Sequence, residues 1–219
     1  MIITIDGPAG SGKSTVADII SNKLGFVHFN SGSLFRAITA HLYKNNFDIE
    51  NITTNSQIPE MDLKVEIIND IQHVFVDSVD YTPILRDNHI STLVAYVALN
   101  KSCREITMKC QHEFCSANNV VIEGRDIGSH VFPNADFKFY LDCSIEERAR
   151  RRFNEEKEKN SNISMEEIAE QIAERDHLDK TREIAPLVVP KGAIIVDSTN
   201  LSIDDVVKEM ISHVVVNEI

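Results

Sequence analysis

The 219-residue sequence lacks any apolar run that approaches the ~20 residues needed to cross a bilayer. It also lacks a basic segment followed by an apolar one at its start, where the β-branched run Met1–Ile5 indicates a strand instead. Both absences argue against a membrane span and a secretory signal. We therefore expect a cytoplasmic protein with no membrane partner.

Cysteine is scarce, with four residues at Cys103, Cys110, Cys115 and Cys143. No two of them form a C-x-x-C pair, and no histidine stands beside them at a zinc-finger spacing. This pattern argues against a disulfide framework and against a structural metal site. We interpret the four cysteines as small buried side chains in a reducing compartment.

Basic residues are in the minority, with 22 Lys and Arg against 34 Asp and Glu, which gives a formal net charge of −12. Such an acidic protein is a poor candidate for non-specific binding to nucleic acid or to anionic membranes. If it binds phosphates, it must do so through local clusters of basic side chains. Repeats, low-complexity tracts and long linkers are absent as well, which favours a single domain.

One stretch carries a strong motif, since Gly7–Ser14 fits G-x-x-x-x-G-K-[ST] between a predicted strand and a helical pattern. Glycines let successive backbone N–H groups of such a loop point into one cavity, and the N-terminus of the next helix faces the same cavity. Lys13 would reach the β- and γ-phosphates of a nucleoside triphosphate, and the Ser14 hydroxyl would ligate Mg²⁺. The candidate residues for binding this cofactor are Gly7, Pro8, Ala9, Gly10, Ser11, Gly12, Lys13, Ser14 and Thr15.

Strands and helices alternate along most of the chain. Apolar runs predict buried strands at Met1–Ile5, Gly25–Phe29, Val120–Ile122, Phe137–Asp142 and Ala193–Asp197. Helical patterns lie between them, so the prediction is an α/β fold with a parallel, five-stranded, doubly wound P-loop sheet. Ligands of such a fold bind at the carboxyl ends of its strands.

The spacing of apolar residues changes from a helical to an alternating pattern between the second and third of these strands. Leu63–Ile67, Val74–Val76 and Tyr81–Leu85 alternate or follow turn signals at the spacing of short strands. They predict a small antiparallel three-stranded insert.

Helix ends carry their own signals. Asn30–Ser33 predicts a turn and an N-cap before a helix from Leu34, which places Arg36 in the first turn. Ser144 with Glu147, and Ser164 with Glu167, each predict a capping box. A long helical stretch over residues 87–117 is expected to break near residues 100–102.

Arginines gather after the predicted strands in this otherwise acidic chain. They predict a local cationic cleft, because guanidinium groups bind phosphate with a fork of donors and phosphoryl transfer needs positive charge around the equatorial oxygens. Arg175, Asp179 and Arg182 share one helical face, and a solvated, salt-bridged surface is an equally open interpretation of these three residues. The set comprises Arg36, Arg125, Asp126, Arg148, Arg151, Arg152, Arg175, Asp179 and Arg182.

Together these residues resemble the bacterial cytidylate kinases (CMP kinases) of the nucleoside monophosphate kinase group over essentially the whole chain. Adenylate and shikimate kinases share the phosphate loop but lack the G-R-D-x-G segment followed by V-F-P. An enlarged monophosphate-binding region is also typical of the family and fits the insert. The resemblance rests on Ile5–Ser14, Ser31-Gly32 with Arg36, Glu123–Gly128 with Val131–Pro133, Glu146–Ala149 with Arg151-Arg152, Arg175-Asp176, Ala185–Leu187 and Asp197–Thr199.

The resemblance implies transfer of the γ-phosphoryl group of MgATP to CMP or dCMP, giving CDP or dCDP and ADP. It implies one cytidylate-kinase-like domain over residues 1–219. The implied core is 1–58, 86–150 and 183–219, with a monophosphate-binding insert at about 59–85 and a helical lid at about 151–165. The expected partners are the small molecules ATP, CMP and dCMP with Mg²⁺, without nucleic acid, and we expect a monomer.

The resemblance also implies residue roles. The lid arginines would act on ATP, whereas the Asp126 carboxylate would accept from the cytosine amine and repel the uracil carbonyl. No general base is needed, because the attacking group is a phosphate oxygen. The implied catalytic residues are Lys13, Arg125, Arg148, Arg151 and Arg152. The implied acceptor-binding residues are Ser31, Phe35, Arg36, Arg86, Arg104, Arg125, Asp126, Arg175, Asp179 and Arg182.

The sequence departs from the family pattern at several positions. Phe35 replaces a frequent Tyr, Ala95 replaces a Ser that commonly contacts the base, and Glu123 replaces the more usual Asp. Because of Ala95, a UMP kinase stays open as an alternative, beside a shikimate-type kinase. A regulatory NTP-binding switch is a further alternative, although the nearest string to N-K-x-D, Asn100–Cys103, lacks the Asp.

Overall fold

The structure, a computed structural model, describes residues 1–158 and 163–215. Its strands are β1 (Ile2–Asp6), β2 (Val27–Asn30), β3 (Leu63–Ile68), β4 (Ile71–Val76), β5 (Val79–Asp80), β6 (Val120–Gly124), β7 (Phe137–Asp142) and β8 (Ile194–Asp197). Its helices are α1 (Lys13–Leu24), α2 (Ser31–Lys44), α3 (Asn88–Val97), α4 (Lys101–Ser116), α5 (Ile145–Glu158), α6 (Met165–Thr181) and α7 (Ile203–Val215). A 3₁₀ turn spans Thr82–Ile84, and a π-helical segment spans Ile127–Val131.

The larger sheet contains five parallel strands in the order β2-β6-β1-β7-β8, which confirms the predicted sheet. Its centre is β1, which pairs with β6 on one side and with β7 on the other. The connection after β1 leads to β2 on one side of the sheet, and the connection after β7 leads to β8 on the other, so the switch point of the topology lies beside β1. The carboxyl ends of β1, β6 and β7 therefore meet at one edge of the sheet, where this architecture binds ligands.

The central strands are held from one face by two helices. Ile5 of β1 and Phe139 of β7 are fully buried in a cluster that includes Ile20 of α1 and Met210 of α7. A fully buried side chain of this size contributes about 1.5–3 kcal/mol by leaving water. The end of β1, and with it the start of the phosphate loop, is thus anchored in a packed core.

The chain divides into two compact units, which are residues 1–27 with 120–219, and residues 28–119. The first unit carries the phosphate loop and the arginines between β6 and the end of α6. The second carries α2, the small sheet, α3 and α4. The single domain with its core, insert and lid stays a prediction, and residues 159–162 of the predicted lid lie outside the described residues.

The second unit contains an antiparallel sheet in the order β3-β4-β5, which confirms the three-stranded insert. Its third strand was predicted wrongly, because it is Val79–Asp80 and not Tyr81–Leu85. Asp77 and Ser78 both have positive φ, at 49° and 66°, and reverse the chain directly after β4. Since Pro83 has no N–H for a strand ladder, the chain beyond β5 forms the 3₁₀ turn.

The predicted start of α2 was wrong by one turn. The Asn30 side chain accepts a hydrogen bond from the Ser33 N–H at 3.1 Å, so Asn30 is the N-cap and the helix begins at Ser31. Arg36 consequently lies in the second turn, not in the first. The predicted break near residue 100 is confirmed, since α3 ends at Val97 and α4 begins at Lys101.

One of the two predicted capping boxes is complete. At α6, Ser164 and Glu167 exchange both hydrogen bonds. At α5, the Ser144 hydroxyl accepts from the Glu147 N–H at 3.2 Å, but the Ser144 N–H donates to the Thr199 hydroxyl at 3.0 Å. The second half of that box was therefore wrong, because the Glu147 carboxylate binds arginines of its own helix instead.

All four cysteines are free and buried, as the sequence predicted. Burial raises the pKa of Cys103, Cys110 and Cys115 to about 12, so these thiols stay protonated. In the described part of the chain, no helix is both long and apolar enough to span a membrane, and no group of His, Cys, Asp and Glu is arranged to hold a metal on its own.

Candidate active site

The phosphate loop leaves β1 at Gly7 and enters α1 at Lys13. Gly7 has a φ of 153°, and a Cβ at this position would lie 2.2 Å from the carbonyl oxygen of Leu141 in β7. Only glycine fits so close to a backbone oxygen. The loop is therefore pressed against the carboxyl end of β7, which is the edge where the topology places a ligand.

Lys13 is almost fully buried inside this loop. Its Nζ donates to the Pro8 carbonyl at 2.6 Å and to the Ser11 hydroxyl at 3.3 Å. Burial lowers the pKa of Lys13 to about 7, and the nearby Arg125 acts in the same direction. An anionic phosphate bound at the loop would favour the charged ammonium, because an opposite charge stabilises it.

Ser14 and Glu123 form a pair that the sequence did not predict. The Ser14 hydroxyl donates to the Glu123 carboxylate, which is buried at the carboxyl end of β6. A hydroxyl and a carboxylate are hard oxygen donors of the kind that Mg²⁺ prefers. Glu123 is the first residue of the Glu123–Gly128 segment on which the resemblance rests. Its place at the predicted end of a strand was the signal that could have identified it as a partner of the phosphate loop.

Three arginines surround a single carboxylate in the first unit. Arg125 and Arg175 place Nε at 3.0 and 3.3 Å from Asp179 Oδ2, and Arg182 lies 3.8 Å from Oδ1. Burial alone would raise the pKa of Asp179, but the three guanidinium groups outweigh it and hold the pKa below its ordinary value. The Asp179 side chain is only 5% exposed, so the interpretation of this face as a solvated surface was wrong.

The same cluster includes Asp126. Its Oδ1 accepts from Arg182 at 2.8 Å, and both side chains are buried. Arg182 also donates through Nε to the Ala185 carbonyl at 2.6 Å, which fixes the plane of its guanidinium. The structure thus brings together Arg125, Asp126, Arg175, Asp179 and Arg182, five of the predicted acceptor-binding residues.

Arg148 has a different environment from that implied by the resemblance. It forms a bidentate pair with Asp176 at 3.1 and 2.6 Å, and its side chain is 3% exposed. It also donates to the carbonyl groups of Cys143 at 2.9 Å and Ala9 at 3.0 Å. Arg148 therefore links α5, α6 and the phosphate loop, and most of its donors are already used.

The other two arginines of α5 to which the resemblance gives a role, Arg151 and Arg152, have different surroundings. Arg151 donates to the Ser198 carbonyl at 2.7 Å and lies 3.4 Å from the Ser11 carbonyl of the phosphate loop. Arg152 is half exposed and pairs with Glu155 and Glu156 of its own helix at 3.4 and 3.0 Å. Only Arg148 and Arg151, of the three, contact the loop.

The remaining predicted acceptor-binding residues belong to the second unit. Phe35 and Arg104 are paired there, with the guanidinium carbon 5.7 Å from the ring centroid. Arg104 is buried and donates to the Ala98 carbonyl at 3.2 Å. The full set in this unit is Ser31, Phe35, Arg36, Arg86 and Arg104.

Comparison with known proteins agrees with the fold and the motifs. The model of the family described as cytidylate kinase matches residues 3–215. The chain is 42% identical to the cytidylate kinase of Caldanaerobacter subterraneus subsp. tengcongensis over 95% of this chain and 92% of that protein. It is 39% identical to the cytidylate kinase of Bacillus subtilis over 97% and 95%.

Solved structures share the fold at lower identity. The shikimate kinase of Acinetobacter baumannii superposes with a TM-score of 0.50 at 15% identity, over 100% of this chain and 94% of that one. At such identity the likeness concerns the fold alone. The family match over nearly the full length is the decisive finding, and the chain belongs to the cytidylate kinase family.

Proposed function

We propose that this protein transfers the γ-phosphoryl group of MgATP to CMP or dCMP, giving CDP or dCDP and ADP. The observation that supports it most is the cluster of three arginines around the buried carboxylate of Asp179, with Asp126 beside it, in the unit that holds the phosphate loop. Arg182 is buried, and Arg125 and Arg175 are partly exposed. An acidic chain that concentrates positive charge in this way is suited to anionic nucleotides.

The transfer needs positioning and charge more than proton chemistry. An oxygen of the acceptor phosphate bonds to the γ-phosphorus while the bond to the β–γ bridging oxygen breaks, so ADP leaves with that electron pair. Lys13 balances charge on the donor phosphates, and Arg125, Arg175 and Arg182 balance charge on the acceptor. Arg148 holds the loop through the Ala9 carbonyl, so we assign it a positioning role.

Ser14 and Glu123 are the residues that would hold Mg²⁺. When bound, the ion supplies neutralisation of the phosphate charge. The pairing of the Ser14 hydroxyl with a buried carboxylate fits an oxygen-binding cation, because both groups are hard donors on adjacent elements.

Recognition of the acceptor is proposed for both units. In the first, the buried carboxylate of Asp126 accepts from the amine of cytosine. In the second, Ser31, Phe35, Arg36, Arg86 and Arg104 contact the nucleotide. We keep the lid at residues 151–165 as part of the proposal, with Arg151 and Arg152 acting on ATP. We also propose a cytoplasmic monomer, for which light scattering should give a mass near 24.7 kDa.

A panel of acceptors tests the function. Initial rates with MgATP are measured for CMP, dCMP, UMP, AMP and shikimate at equal concentrations, with ADP release as the readout. We expect CMP and dCMP to have the highest kcat/KM. A higher value for UMP or shikimate would replace the substrate assignment, and slow hydrolysis that no acceptor accelerates would favour the NTP-binding switch.

Asp126→Asn should reduce the preference for CMP over UMP. The amide can present a donor where the carboxylate presents only acceptors, so binding of CMP weakens and the repulsion of UMP falls. We expect the free-energy difference that corresponds to the kcat/KM ratio of CMP to UMP to fall by about 1–3 kcal/mol, the usual cost of a lost specific polar contact. An unchanged ratio would falsify Asp126 as the reader of the base.

Glu123→Gln should weaken the binding of Mg²⁺ at the nucleotide. The amide keeps the size of the side chain and a hydrogen bond to Ser14, but it lacks the negative charge that attracts the ion. We expect the Mg²⁺ concentration that gives half-maximal tightening of ADP binding to rise by about tenfold, measured by calorimetry. Binding of ADP without Mg²⁺ is the control, and it should not weaken.

A further inference from the structure

Asp6 is a buried carboxylate to which the proposed mechanism gives no role. It is the last residue of β1, directly before Gly7 and the phosphate loop, and it is fully buried. Burial raises the pKa of Asp6 to about 7, even though backbone N–H groups oppose the shift. A buried carboxylate is costly unless its hydrogen-bond partners compensate for the lost water.

Those partners are two consecutive backbone amides. The Ile127 N–H donates to Asp6 Oδ1 and the Gly128 N–H donates to Asp6 Oδ2, each at 2.7 Å. These amides directly follow Arg125 and Asp126. The Asp6 carboxylate, directly before the phosphate loop, therefore binds the backbone just after Asp126, the residue proposed to recognise the base.

The segment bound by Asp6 also has internal hydrogen bonds. The Asp126 carbonyl accepts from the N–H groups of His130 at 2.9 Å and Val131 at 3.1 Å, which forms the π-helical turn. The first turn of this short element has no ladder partner for its leading amides, as at any helix start. Asp6 supplies the missing acceptors from another strand, so the position of Asp126 depends on it.

The absence of a side chain at Gly128 lets this segment lie close to β1. A Cβ at this position would lie 2.6 Å from the Thr4 hydroxyl oxygen and 3.2 Å from Asp6 Oδ2. Any larger residue would thus push the segment away from β1. The segment is held by two hydrogen bonds and by a contact that only glycine permits.

From this geometry we infer that Asp6 is a positioning residue for acceptor recognition, which fixes Asp126 and Arg125 through the amides of Ile127 and Gly128. The inference rests on the proposed role of Asp126 in binding CMP. It extends that role to a residue outside the acceptor cluster, and it joins acceptor recognition to the strand that carries the phosphate loop.

The decisive variant is Asp6→Asn, which keeps the shape but replaces one acceptor oxygen by an NH₂ group that faces a backbone N–H. We expect KM for CMP to rise by about tenfold and the preference for CMP over UMP to fall. The Kd for MgATP should stay near the wild-type value. Amide hydrogen exchange at Ile127 and Gly128 should become faster.

A matched control is Asp142→Asn at the end of β7. Its carboxylate accepts from the Cys143 N–H at 2.9 Å, and among the described residues it has no hydrogen bond to the segment after β6. This variant should change neither KM for CMP nor exchange at residues 127 and 128.

A second test does not depend on the folding of Asp6→Asn. Gly128→Ala should produce the same rise in KM for CMP, because its Cβ collides with the Thr4 hydroxyl. The Thr4 hydroxyl makes no hydrogen bond within the described residues, so Thr4→Ala alone should have little effect. The double variant Thr4→Ala/Gly128→Ala should recover part of the affinity for CMP, as removal of the hydroxyl relieves the collision.

Three results would overturn the inference. They are an unchanged KM for CMP in folded Asp6→Asn, an equal loss of affinity for CMP and MgATP, and a double variant no better than Gly128→Ala. The exchange of the two amides is measured without any nucleotide. A wild-type enzyme that fails to phosphorylate CMP would refute the proposed function, whereas normal wild-type activity with unaffected variants would refute the positioning role alone.

Discussion

Replacement of Lys13 by alanine should lower kcat for phosphoryl transfer by about 10²–10³-fold, the cost of removing one donor that stabilises transition-state charge. The Lys13 side chain is buried in the loop, so bulk water cannot take the place of the ammonium group once it is removed. The measurement is the steady-state rate of CDP formation at saturating MgATP and CMP. KM for CMP should change much less, since the acceptor cluster is not touched.

The fold should survive this substitution, and the structure gives the reason. The Pro8 carbonyl that accepts from Lys13 also accepts from the Ser11 hydroxyl at 3.1 Å, so the loop keeps a donor for it. Removal of a cation whose charged form is disfavoured by burial also costs little stability. Lys23→Ala, an exposed lysine of the same helix, is the control for both rate and Tm. A near-normal kcat for Lys13→Ala would remove Lys13 from the mechanism.

Much of the fold was predictable from the sequence because it depends on local periodicity. The strands of the large sheet are apolar runs, and the phosphate loop is a motif of fixed spacing between a strand and a helix. The errors lie where a turn decides the outcome. The positive φ values of Asp77 and Ser78 reverse the chain so that the third strand is Val79–Asp80, and the Asn30 cap starts α2 at Ser31, three residues before the predicted start.

The site was predictable in its residue types but not in its pairings. The spacing of Arg175, Asp179 and Arg182 indicates one helical face, but it does not reveal that Arg125, 54 residues before Asp179, shares the same carboxylate. Nor does spacing reveal that Asp6 binds the amide of Ile127, 121 residues away. The contact of Asp6 follows from the pairing of β1 with β6, and that of Arg125 from the position of α6 in the folded chain, and the spacing of residues along the sequence contains neither.

The acceptors that surround the Arg148 guanidinium predict a second large effect, this time on stability. Asp176→Ala should lower the free energy of unfolding by about 3–5 kcal/mol, because it leaves a buried guanidinium without its anion. For a chain of this size, that corresponds to a fall in Tm of about 6–20 °C. Thermal unfolding followed by circular dichroism gives the value.

Arg150→Ala is the matched control for this stability effect. Arg150 belongs to the same helix and also makes a bidentate contact, at 2.7 Å to both oxygens of Glu147, but its side chain is 58% exposed. An exposed pair contributes only about 0–1 kcal/mol, so Tm should hardly change. If Asp176→Ala were as stable as Arg150→Ala yet lost most of its activity, Arg148 would act on the nucleotide rather than hold the loop. We expect the opposite order, since the donors of Arg148 reach Ala9, Cys143 and Asp176, and a side chain so engaged is structural.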